Sequence, residues 1–221
     1  MIALLLGAGL SLLLIWIAMH DPELTDPSIA MALESQLHVD NFKTAHIRHQ
    51  MGLVVAHRTS IEGLSIRGGR NRQSVIAGTL TTIDNWIGVI RQLALMLEPI
   101  EVKSASLSAQ ALDLRQRIEE LEGRARNASS VTTQTQLRET LASRKAQLRA
   151  IEQLESVTER GLLRLEHAVS ALGTMDAKLT IASASAQDEF VIAGIKDDIK
   201  REIGEIDLVI AAVQRVYTIA H

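Results

Sequence analysis

The chain has 221 residues, 47% of them hydrophobic but only 2% aromatic, with a formal net charge of −3. That length allows one or two compact domains, while the near-neutral charge excludes global steering toward nucleic acid. The scarcity of aromatics argues against a deep ligand pocket, and the absence of cysteine excludes disulfides, thiolate metal sites and cysteine nucleophiles. Leu, Ile, Val and Ala interspersed with Glu, Arg, Gln and Lys suit long helices packed side by side.

Ile2 to Met19 carries no charge. As a helix it spans roughly 27 Å, close to the hydrocarbon thickness of a bilayer. Trp16 sits near one end, where an indole suits the headgroup region. No basic n-region precedes the run and "WIAMHDP" is a poor cleavage site, so an uncleaved anchor is favoured over a signal peptide or a buried soluble helix. Ala3, Gly7 and Ser11 form a small-xxx-small row that permits close helix pairing. The expectation is a single-pass membrane protein anchored by residues 1–20. Its soluble part is weakly favoured on the cytoplasmic side, because Lys and Arg occur only after the run.

Residues 21–28 read as a linker with two prolines and Ser28 as a helix N-cap. Residues 29–98 read as a helical hairpin, one helix from Ile29 to about Ile66 and a second ended by Pro99, with Gly68 and Gly69 as the turn. Ile83, Ile87 and Ile90 belong to a heptad seam in the second helix. Residues 99–221 read as coiled-coil helices with breaks near 127–132 and 183–188. Their seams include Leu114, Ile118 and Leu121, then Leu165 and Leu172, then Ile199 and Ile206. A helix from about Gln134 follows the first break, and Glu155 and Thr158 interrupt its stripe beside Leu154 and Val157, a local register shift. No segment alternates with period two, so the fold class is all-α: a transmembrane helix followed by long antiparallel helices in a bundle or coiled coil.

Among side chains with chemistry, His38, His46, His49 and His57 share one helix face. His46 and His49, three apart, have the spacing for one metal ion, but no H-E-x-x-H pattern supplies further ligands. A solvated or interhelical polar stripe is the simpler reading. Residues 41–83 hold Lys43, Arg48, Arg58, Arg67, Arg70 and Arg72 against Glu62 alone. Arg67, Arg70 and Arg72 make the turn basic, a solvated turn or a docking point for an acidic partner. Missing aromatics weaken any nucleic-acid reading. Asn127 opens a glycosylation triplet, and the adjacent pairs Glu119–Glu120 and Asp197–Asp198 point to different helix faces rather than forming dyads. No phosphate loop, dinucleotide fingerprint, nucleophile elbow or zincin motif occurs.

The sequence therefore predicts no catalysis and no cofactor. It predicts a membrane-anchored helical scaffold whose partners are the lipid bilayer and itself or another helical protein, with no nucleic acid and no small-molecule substrate. The alternative is a membrane-associated signal transducer or stress sensor with a pH- or metal-responsive histidine face.

Overall fold

The computed structural model describes residues 37, 39–67, 70–184 and 188–219, with side chains for all of these except 65–78, 184–192 and 217–219. These residues form a 3₁₀ turn, Val39–Asn41, and four α-helices with no strand among them. The helices are α1 (Ala45–Arg67), α2 (Arg70–Asn127), α3 (Val131–Ala184) and α4 (Asp188–Ile219). The architecture is a helical bundle.

Each of α1 and α4 packs against both α2 and α3, which also pack on each other. Interhelical pairs give the directions. Arg58 meets Asp84 while Thr44 meets Glu98, so α1 and α2 run antiparallel. His46 meets Glu166 and His57 meets Asp176, so α1 and α3 run parallel. One continuous core joins all four helices, with Ile47, Met51 and Ile61 of α1 against Ile83, Trp86, Ile90 and Leu97 of α2. Leu165 and Leu172 of α3 and Ile195, Ile199 and Ile206 of α4 complete it. Each buried Leu or Ile side chain contributes about 1.5–3 kcal/mol through removal of apolar surface from water.

Beyond this bundle α2 and α3 continue as an antiparallel two-helix arm. Its small separate core consists of Ala111, Leu114 and Ile151, backed by Leu107 and Leu148. From residue 111 to Asn127 the arm rises about 25 Å. Arg115 pairs with Glu152 and Lys145 with Glu122, so each step outward on α2 is a step backward on α3. At the tip the Gln134 amide nitrogen bonds the Ser130 carbonyl, and the Gln134 side chain donates to the Ala128 carbonyl at 2.8 Å. Those bonds satisfy groups left open by the break, so α3 starts at Val131 rather than at Gln134.

Pro99 does not end the second helix: it lies inside the 58 residues of α2. Proline lacks the N–H that would reach the Leu95 carbonyl. Leu95 and Pro99 both face solvent, where water can take that carbonyl. Leu97 and Ile100, buried on either side, hold the helical path through the interruption. The expected Ile29–Ile66 helix is interrupted within the described residues: the 3₁₀ turn Val39–Asn41 precedes α1, which begins at Ala45, because Val39 and Phe42 fold into the core.

Among the described residues no helix is long and apolar enough to cross a membrane. This finding overturns the expected single-pass membrane localisation, and the expected membrane side falls with it. The physical reason lies in the pattern: these helices carry apolar stripes with charged faces opposite, and the stripes pack on one another. The apolar run of residues 1–20, with Ala3, Gly7, Ser11 and Trp16, lies outside the described residues.

Candidate interaction surface

The seam residues come together inside one chain. Ile83, Ile87, Ile90, Leu165, Leu172, Ile199 and Ile206 are buried in the bundle core, and Leu114 and Ile118 are buried in the arm. Leu121 is half-buried near the tip. Their apolar surface is thus covered within the chain. What the molecule presents outward is the flanks of these helices and the arm.

Three charged side chains sit in the bundle interior: Arg58 at 8% exposure, Asp176 at 7% and Glu202 at 5%. Each lies on an apolar seam at heptad steps: Arg58 between Val54 and Ile61, Asp176 between Leu172 and Leu179, Glu202 between Ile199 and Ile206. Burial without a partner would cost several kcal/mol, and each has partners. Arg58 grips Asp84 of α2 through Nε and Nη2 and reaches Glu62 through Nη1. Asp176 accepts the Ser60 hydroxyl at 2.9 Å and lies 3.1 Å from His57 Nδ1. Arg164 of α3 donates to the Glu202 carboxylate and carbonyl and pairs with Glu205.

The start of α1 is clasped by α2. The Glu98 carboxylate accepts the backbone N–H groups of Lys43 and Thr44 and the Thr44 hydroxyl. A helix start leaves donors without intrahelical partners, and a carboxylate suits that electropositive end. Arg48 turns back to donate to the carbonyls of Phe42 and Lys43. Two of the six basic residues counted between 41 and 83 are therefore structural. Arg67 closes α1, Arg70 opens α2 and Arg72 lies in its first turn.

The histidines separate. His46 lies 3.5 Å from Glu166, with over a third of its side chain exposed. His49 is exposed, and His38 lies outside the described residues. Among the described residues no group of three His, Asp or Glu side chains is placed to hold a metal ion. His57 is the most built-in of them: a Cβ on Gly173 would sit 2.9 Å from its Nε2, so glycine is what lets α3 approach the ring.

Two half-buried carboxylates are held ionised by cations across helix interfaces. Glu122 is pushed below its ordinary 4.5, first by the hydrogen bond from Lys145 and then by its charge. Asp198 is lowered chiefly by the hydrogen bond from Lys178 of α3.

Sequence reasoning missed Asp84, Glu98, Glu166 and Asp176 as partners, because each pair joins positions at least 26 residues apart. The signal for part of this was present. A charge on an otherwise apolar seam marks an internal ion pair, and Arg58, Asp176 and Glu202 all stand there. No protein-family model, no curated protein and no solved structure matches the chain.

Proposed function

We propose that the protein is a helical scaffold without catalysis of its own, which brings other proteins together through the exposed length of its α2–α3 pair. The observation that carries this reading is the arm: two helices leave a complete bundle together and remain paired through the Arg115–Glu152 and Lys145–Glu122 contacts. The bundle acts as a base, and the arm offers a long surface of known register. The buried seams argue against self-assembly through those same stripes, so the partner is another protein meeting helix flanks.

Cross-linking of the full chain in its native extract, with lysine-directed reagents and mass spectrometry, tests the reading. Links to other proteins are expected from Lys103 and Lys145, which lie on the α2–α3 extension. Links only from Lys178, Lys196 and Lys200, or none to any other protein, would refute it.

A second reading, a sensor, is favoured by the His57–Asp176 contact that ties α1 to α3. On this reading amide exchange of α1 differs between acidic and neutral solution in the wild type and not in His57→Gln, and a wild type without that difference removes the reading.

A further inference from the structure

Where the arm leaves the bundle, α2 and α3 frame an open groove of about 470 Å³. Ile100, Leu107 and Leu162 supply its apolar lining, and Glu101, Glu155 and Glu159 line it with carboxylates; no Lys or Arg contributes. The groove prolongs the seat of α1. In α3, Gly173 and Glu166 touch α1, and heptad steps from them lead to Glu159 and Glu152. The same steps from Asp176 lead through Val169 to Leu162 and Glu155. In α2, Glu101 stands one helical turn beyond the Glu98 clasp. Because α1 starts at Ala45 against Glu98, these rows run on without it.

The chain's own α1 indicates what such a seat accepts. It carries Arg48, Arg58, Arg67 and three histidines against one acid, Glu62. Its seat answers with Asp84, Glu98, Glu166 and Asp176. In the prolonged groove Glu152 is paired with Arg115 and Glu155 accepts from Ser108. Among the described residues Glu101 and Glu159 have neither an ion pair nor a hydrogen-bonding partner. The chain just upstream is a poor match, since residues 20–36 hold Asp21, Glu23, Asp26 and Glu34 with no Lys or Arg.

We propose that this groove seats a cationic amphipathic helix of another protein, laid end to end with α1 on the α2–α3 pair. Apolar side chains of that helix would cover Leu107 and Leu162, and its Lys or Arg residues would meet Glu101 and Glu159. The proposal rests on the scaffold reading and assigns it a site and a partner chemistry.

The test uses the full chain and a fluorescent amphipathic Leu/Lys helical peptide as probe, read by anisotropy. Glu101→Lys with Glu159→Lys should weaken binding about tenfold, whereas the exposed arm pair Glu119→Lys with Glu120→Lys should change it less than about twofold. Glu101→Gln with Glu159→Gln, which adds no repulsion, should give an intermediate loss and guards against a folding artefact. Equal losses at both sites, no binding by the wild type, or displacement of the probe by a peptide of residues 20–36 would overturn the proposal. If the groove fails while Lys145 still cross-links to other proteins, the scaffold reading stands and only the site is wrong.

Discussion

Glu202, Asp176 and Arg58 carry the same lesson: a charge placed on an apolar seam is tolerated because the facing helix completes it. Such pairs fix register more than they add stability, since desolvation offsets much of their attraction. Removing one member is different. Asp176→Leu strands the Ser60 hydroxyl and His57 Nδ1 and should destabilise the fold by about 2–4 kcal/mol in chemical denaturation, while Asp176→Asn should recover most of that. Two glycines give a contrast of sign. Gly88 has open space where a Cβ would go, and Gly88→Ala should raise stability by about 0.5–1 kcal/mol by favouring the helix. Gly173→Ala drives a methyl into His57 and should lower stability by about 1–2 kcal/mol despite the same helical gain. Thermal melting of the two variants should move in opposite directions.

Among the elements, α2 departs furthest from its sequence pattern. Proline within an apolar period reads as a stop, yet the helix passes through Pro99 because Leu97 and Ile100 are anchored in the core on both sides. Pro99→Ala restores the missing N–H at an exposed position and should stabilise the protein by about 1–3 kcal/mol, checked by chemical denaturation. The arm is legible from its heptads, but its partner charges are not, since Glu122 and Lys145 lie across a helix break. There the sign of the pH effect follows from the lowered Glu122 value. The contribution of the Glu122–Lys145 pair is complete above the ordinary 4.5 and is lost as pH falls through the lower folded value. A carboxyl-resolved NMR titration should place the Glu122 midpoint below 4.5 in the wild type and return it toward 4.5 in Lys145→Met.

Over the whole molecule, the helical class and the seams followed from spacing alone, because burial in helix packing repeats with the helix period. What covers those seams did not follow. Period identifies a stripe such as Ile83, Ile87 and Ile90 but leaves open whether another copy or another segment buries it, and here α1, α3 and α4 supply the cover. The membrane reading rested on residues 1–20 and had no counterpart in the described helices. The arm projects from the bundle because α2 runs unbroken from Arg70 to Asn127. The cysteine-free chain accepts spin labels cleanly at Asn85→Cys and Arg124→Cys, both on exposed positions of α2. A continuous helix places these backbone sites about 58 Å apart, so pulsed electron–electron resonance should give one narrow distribution near that distance. A broad distribution, or one centred below about 45 Å, would mean the helix folds back at Pro99 and would contradict the account.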